Sequence, residues 1–158
     1  MADIKPAFAQ AIGESGLALP RFVSIKASRA NVRVGPGRNY EVLFFYQKQG
    51  LPVEITHEYD QWRKIRDSDG AEGWILQSLL SNRRTALVAP WQKDKDSLIP
   101  LRKKSDLMSP IIAQLEPGVL VTVRSCDGTM CDVVVDTIRG FIIETQLWGV
   151  YPGEIVKR

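Results

Sequence analysis

Short runs in which apolar and polar residues alternate dominate the chain between Ala30 and Leu80. Val32 and Val34 alternate with Asn31 and Arg33, and Val53 and Ile55 alternate with Glu54 and Thr56. A period of two puts successive side chains on opposite faces, so each run reads as a half-buried β-strand. Trp62 to Arg66 is the next run, and Gly73-Trp74-Ile75 is the returning strand. Ser68-Asp69-Gly70 supplies the hairpin turn between them, because glycine accepts positive φ without steric cost. Gly35-Pro36-Gly37 breaks the chain after the first strand. The residue before a proline is restricted, and Gly37 lets the chain double back. Val32, Val34, Val53, Ile55, Ile65 and Ile75 are spaced to fill one small core. The pattern predicts a small five-stranded antiparallel barrel. Thr85 to Ala89 is a further strand, positioned in sequence to close it.

The second half repeats the first. Leu101-Arg102 echoes Val32-Arg33, Gly118 with the strand after it echoes Gly50, and Gly140-Phe141-Ile142 echoes Gly73-Trp74-Ile75. The three landmarks are displaced by 69, 68 and 67 residues. A nearly constant offset marks a tandem duplication with one-residue loop changes. Both copies close alike, Gln77-Ser78-Leu79-Leu80 matching Glu144-Thr145-Gln146-Leu147, which reads as a single helical turn of the 3-10 kind. The expected organisation is a leader at 1–20, a first barrel at 21–89, a linker at 90–97 and a second, degenerate barrel at 98–158. Weak capping and short length argue against a stable helix at Ala7 to Ile12, so the leader is expected to be disordered or loosely docked. Trp91 is too large an apolar side chain to leave in solvent. It is expected to pack between the halves or to sit partly buried in the linker.

Composition narrows the function classes. Net charge is +3 over 158 residues with both signs interspersed, whereas a dedicated nucleic-acid binder gathers a strong basic excess on one face. No apolar run reaches the ~20 residues that span a bilayer. Arg83-Arg84, Lys93, Lys95 and Arg102-Lys103-Lys104 read as solvated faces. The two cysteines, Cys126 and Cys131, enclose Asp127-Gly128-Thr129-Met130 between strand-like valines. A four-residue turn sets them opposite each other across a hairpin, where Cβ atoms lie ~4.5–5.5 Å apart. Modest twist closes a disulfide from there, two free core thiols being the alternative. A zinc site needs about four ligands, and the only other candidate, His57, lies in the other half. Ala7 and Ala9 form the A-x-A pattern of signal-peptidase sites. With the cysteine pair, this leads to the expectation of a periplasmic or secreted protein whose signal sequence is truncated before Gln10.

The sequence offers no catalytic constellation. His57 lies beside Thr56 and Glu58 without a triad, and neither H-E-x-x-H nor G-x-S-x-G occurs. Gly35-Pro36-Gly37-Arg38 lacks the Gly-Lys-Ser/Thr of a phosphate loop, and Pro36 removes a donor. Asp67, Asp69 and Glu72 crowd one turn but lack the length and further oxygens of a calcium loop. No catalytic residue, metal or cofactor is expected.

The residues ANVRVGPG, VEI, WRKI and SDGAEGWI followed by SLL resemble the bacterial Src-homology-3-like (SH3b) domain family, closely over about Phe22 to Ser81. The second copy, about Leu98 to Leu147, is degenerate. It lacks the Gly-Pro, has Cys131 near the place of Trp62, and has Phe141 in place of Trp74. The leader, the two domains and the ending LWGVYPGE resemble two-domain proteins exported by Gram-negative bacteria. The resemblance implies an all-β fold of two tandem SH3-like five-stranded barrels, with cell-wall peptide or an envelope protein as partner. Such barrels bind extended peptides in aromatic-lined grooves, and Tyr40, Phe45, Tyr59 and Trp62 are the candidate groove. Of the adjacent Phe44 and Phe45, one faces in and one out. The alternative class is a cytoplasmic adaptor or nucleic-acid-binding protein built on the same barrels, which the thiol state of the cysteine pair would separate. Oligomeric state is unspecified.

Overall fold

The computed structural model describes residues 10–158, so Ala7 and Ala9 lie outside the described residues. The chain is all-β and divides into two compact units between Arg83 and Arg84. Among the described residues, no helix is long and apolar enough to cross a membrane.

The first unit opens with β1 (Ala11–Ile12) and β2 (Ala18–Leu19), followed by β3 (Arg21–Ile25), β4 (Ala30–Arg33) and β5 (Val42–Tyr46). Then come β6 (Pro52–Tyr59), β7 (Trp62–Arg66), β8 (Glu72–Leu76), a 3-10 turn at Gln77–Leu79 and β9 (Leu80–Ser81). β3 to β9 form one antiparallel sheet in the order β5-β4-β8-β7-β6-β3-β9, seven segments where five strands were expected. The alternation in the sequence places Val23, Ile25, Ala30, Val32, Val53, Ile55, Ile65 and Ile75 in one core. Val34, expected among them, is 51% exposed. The β4–β5 register shifts between Val32 and Arg33, and β4 ends there, so the period-two rule stops one step before Val34. Gly73 allows the sheet to bend round on itself. A Cβ there would run into the Val32 side chain and lie 3.0 Å from the Arg33 carbonyl. Gly140 meets Leu101 and the Arg102 carbonyl in the same way in the second unit.

Of the two expectations for the leader, residues 10–20 are docked and not disordered. β1 and β2 pair as a hairpin, turned at Gly13 to Gly16, and Gln10 bonds the Pro20 carbonyl at 2.7 Å. Ser15 N–H donates to Glu58 Oε1 at 3.0 Å, which fastens the hairpin to β6. The Leu19–Pro20 peptide is cis. Ala11 and Ile12 are therefore strand, and no helix forms at this end of the described chain. Tertiary contacts with Glu58 decide this, and propensity in the leader cannot report them.

The second unit contains β10 (Thr85–Val88), β11 (Ile99–Arg102), β12 (Ile111–Leu115), β13 (Leu120–Asp127) and β14 (Met130–Val135). β15 (Ile138–Ile143), a 3-10 turn at Glu144–Gln146, β16 (Leu147–Trp148) and β17 (Ile155–Val156) complete it. The order β12-β11-β15-β14-β13-β10-β16 repeats that of the first unit strand for strand, with β17 added on β13. Thr85–Val88 thus does not close the first barrel. It pairs with β13 and β16, the place β3 holds against β6 and β9. The misplacement has a simple origin. Residues 26–29 join β3 to β4, but the longer segment 89–98 joins β10 to β11, so the repeat offset breaks there. Residues 90–97 lie inside the second unit, held where Lys95 Nζ donates to the Pro117 carbonyl at 3.0 Å. Trp91 stays 53% exposed. Arg84, read as a solvated cation, instead grips Glu154 through two bonds of 2.8 and 2.9 Å.

Candidate functional site

The two copies differ in chemistry at a shared cross-hairpin position. In the first unit Glu58 on β6 opposes Arg63 on β7, and in the second Cys126 on β13 opposes Cys131 on β14. Each hairpin turns through a positive-φ residue, Asp60 or Gly128, so the registers coincide. Glu58 Oε2 lies 3.0 Å from Arg21 Nη1 and 3.2 Å from Arg63 Nε, and its side chain is only 1% exposed. Burial pushes the Glu58 carboxyl up, but hydrogen bonds from Ser15 and the Arg21 guanidinium outweigh it and hold it below the usual carboxylate range. Cys126 and Cys131 form the expected disulfide, with Cα atoms 4.1 Å apart. A buried ion pair in one copy is thus replaced by a covalent bond in the other.

The same correspondence puts Glu144 where Gln77 stands. Gln77 Oε1 accepts from Arg63 Nη2 at 2.7 Å, while Glu144 lies buried with one carboxylate oxygen 3.9 Å from Cys131 Sγ. Burial pushes the Glu144 carboxyl upward, reinforced by Glu154 and Asp127 and opposed by amides of Gly153 and Glu154. Cys126, Cys131 and Glu144 have ligand-type atoms within 4.8 Å of one another. The sulfurs are bonded to each other, and the thiolate that a metal would take is absent.

A groove of about 310 Å³ lies on the outer face of the first unit. β4 builds one wall. Ala30 and Val32 point into the core, so Asn31 and Arg33 point out, and Arg29 continues that face. Arg38, on the loop between β4 and β5, adds a third cation, and Trp62, Leu76 and Leu79 supply the apolar lining. Arg33 Nη1 donates to the carbonyls of Arg38 and Tyr40 at 3.2 and 2.9 Å, which fixes the loop over the strand. The Arg29 guanidinium carbon sits 3.8 Å from the centroid of the Phe45 ring, within cation–π range. Among the described residues, no carboxylate forms an ion pair with Arg29, Arg33 or Arg38.

The four aromatic residues expected to form the groove have separate placements. Trp62 lines it and is otherwise buried, at 8% exposure. Phe45 reaches it through Arg29, while Phe44 faces the core and meets Tyr46 edge-on, as alternation requires. Tyr59 opposes Trp62 across the hairpin, hence on the same face, but is not part of this lining. Tyr40 packs its ring against Gly35 and Gly37, where an added Cβ would come within 2.6 and 3.2 Å of the ring respectively. The Gly-Pro-Gly break thus makes room for Tyr40. Neither glycine is among those with positive φ. Arg33 is legible as an outward neighbour of Ala30 and Val32 in the alternation, whereas Arg29 and Arg38 lie outside that strand. His57 is exposed and bonds only its neighbour's hydroxyl, Thr56 Oγ1, at 3.0 Å. Asp67 serves its turn, accepting from the amides of Asp69 and Ala71 and from the Tyr46 hydroxyl.

Among the described residues, the second unit carries different side chains at the corresponding places. Arg102 pairs with Phe141 as Arg33 does with Trp74, and the loops 34–41 and 103–110 are equal in length. Leu98, Pro100 and Leu107 therefore stand where Arg29, Asn31 and Arg38 stand in the first copy. Met130, paired with Ile143, takes the place of Trp62, paired with Leu76, so the counterpart is one residue before the expected Cys131.

No curated protein matches the chain. Among solved structures it is similar to NlpC2 from Trichomonas vaginalis, at 14% identity and TM-score 0.36, covering 82% of this chain and 48% of that one. NlpC1 from the same organism gives 12% identity and TM-score 0.35, with coverage of 90% and 51%. The chain spans about half the length of these two structures. Residues 26–82 match the family model of the bacterial SH3 domain, and all of them lie in the first unit. The strand pattern, the Gly-Pro-Gly turn and this match agree: the first unit carries a bacterial SH3 domain.

Proposed function

We propose that the protein is a non-catalytic binding module of the bacterial cell envelope, whose first barrel docks an extended peptide of the cell wall in the groove beside Trp62. The observation that carries this reading is the groove itself. An indole and two leucines lie beside polar donors on the outer face of the unit that matches the bacterial SH3 domain. Extended peptides dock on barrels of this kind in such aromatic-lined channels. The second barrel, with Leu98, Pro100 and Met130 at the corresponding places, does not carry this docking site. The Cys126–Cys131 disulfide supports an oxidising compartment outside the cytoplasm.

Co-sedimentation of the full chain with purified insoluble peptidoglycan tests the reading. The folded protein is expected in the pellet, and Tyr59→Ala, which trims the same face without touching the core, is expected to lower the pelleted fraction. A folded protein that stays in the supernatant at every salt concentration would move the assignment to an envelope protein partner.

A further inference from the structure

The groove carries more charge than docking of a neutral peptide needs. Arg29, Arg33 and Arg38 lie along one groove, and among the described residues none has a carboxylate partner. Elsewhere in this unit arginines are paired: Arg21 and Arg63 share Glu58, and Arg66 meets Glu54 at 2.7 Å. Three cations along one groove without a carboxylate partner set up a local positive potential that an anionic ligand would answer.

The arginines are also pre-arranged. Arg33 spends Nη1 on the carbonyls of Arg38 and Tyr40, and its Nε and Nη2 have no protein partner among the described residues. Those two nitrogens form the edge of a guanidinium that a carboxylate meets through two parallel hydrogen bonds. Arg29 is steadied by its stacking on Phe45, so less side-chain freedom is lost when a ligand arrives.

The second unit is an internal comparison. Arg102 Nη1 donates to the Ser109 carbonyl at 2.8 Å, so fixing this loop is a structural duty the two arginines share. What only the first unit adds is the flanking pair Arg29 and Arg38. Their counterparts Leu98 and Leu107 are 43% and 52% exposed and uncharged. Holding the loop does not require the pair, so the pair is left for a ligand.

We infer that the groove selects an acidic peptide, gripping a free carboxylate on the Nε–Nη2 edge of Arg33 between Arg29 and Arg38 while an apolar part of the ligand lies against Trp62. This rests on the peptide-docking reading above and names the chemistry it selects. Leu76 and Leu79 beside the indole favour a peptide over a bare phosphate surface, because they offer apolar contact that a phosphate cannot use.

The test is calorimetric titration of the full chain with soluble stem peptides released from purified peptidoglycan, as free acids and after amidation of their carboxylates. The free acids are expected to bind at least tenfold more tightly, with affinity falling as sodium chloride rises. The double variant R29A/R38A, whose side chains lie outside the core, is expected to lose most of that preference with an unchanged thermal midpoint. Equal binding of free and amidated peptides overturns the inference and leaves the peptide-docking reading standing. An R29A/R38A protein that keeps full preference also overturns it. If whole peptidoglycan is ignored while a synthetic Glu-rich peptide binds with the same arginine dependence, the groove chemistry stands and the cell-wall reading falls. Arginine-dependent binding to phosphatidylglycerol vesicles, matching or exceeding that of the free acids, would replace the peptide by a phosphate surface.

Discussion

Replacing Glu58 by glutamine removes one negative charge from a place that holds two guanidiniums. The Glu58 side chain is 1% exposed, Arg63 is 7% and Arg21 17%, so bulk water does little to screen what remains. Breaking a buried ion pair from one side costs about 3–5 kcal/mol, because the partner charge stays behind. The cost here belongs at the lower end. Arg63 keeps the carbonyls of Asp60 and Trp62 and the Gln77 side chain, and Arg21 keeps the Ala18 carbonyl. Glutamine also preserves an acceptor for the Ser15 amide. A loss of about 3 kcal/mol is therefore expected at pH 7, confined to the first unit. The sign of the pH dependence follows from the depressed carboxyl. A group with a lowered folded-state pKa stabilises the fold above its unfolded value of about 4.3, and the contribution disappears as pH falls through the folded value. The gap between wild type and E58Q should be full at pH 7 and shrink below about pH 4. Urea unfolding read by hydrogen exchange separates the units, with peptides from 52–66 reporting the first and peptides from 120–135 serving as reference. A loss under about 1 kcal/mol, or one that persists undiminished at pH 3, would refute the assignment of a buried ion pair at this position.

Three further outcomes follow from the same correspondence between the copies. Cys126→Ser with Cys131→Ser opens a short loop with a sequence separation of 5, and loop entropy puts the loss at about 2 kcal/mol. Urea midpoints with and without reductant should show it in the second unit alone. Glu144→Gln installs the residue that the first copy uses at the same place. Because the folded-state pKa of Glu144 is raised, the wild type loses stability as pH climbs through the interval above the unfolded value. E144Q should therefore gain on wild type between about pH 4 and pH 7 in thermal unfolding, and a flat difference would contradict the raised carboxyl. Gly73→Ala drives a methyl into Val32 and the Arg33 carbonyl where β8 meets β4. Overpacking of this kind costs about 1–3 kcal/mol, measurable by urea denaturation, and an unchanged midpoint would refute a tight contact at Gly73.

The extent to which the site was legible depended on how local its cause was. Strand periodicity required one of Phe44 and Phe45 to face out without choosing between them, and a four-residue turn between two strand runs set Cys126 and Cys131 within reach of a disulfide. Arg33 was written in the same alternation as the core, since Asn31 and Arg33 are the complement of Ala30 and Val32, whereas Arg38 lies on a loop that no strand period places. The role of Tyr40 was not legible. Gly35 and Gly37 read as conformational punctuation, and only the packed ring reveals that they are there for space. Glu58 looked like an ordinary strand acid. Its partners Ser15, Arg21 and Arg63 are brought together by a hairpin docking on β6, and no spacing in the sequence encodes that meeting.

By itself the sequence determined the runs that became β4, β6, β7 and β8, the turns between them, the 3-10 turn that ends each copy and the duplication, because each rests on contacts between near neighbours or on a repeated pattern. The tertiary structure alone decided the ownership of Thr85–Val88, the ordering of residues 10–20 and the convergence of Arg29, Arg33 and Arg38 beside Trp62. A strand's own residues state which face is apolar but not which partner it will meet. That choice is made by hydrogen-bond pairing between segments far apart in the chain, and here an insertion of a few residues between β10 and β11 was enough to hide it.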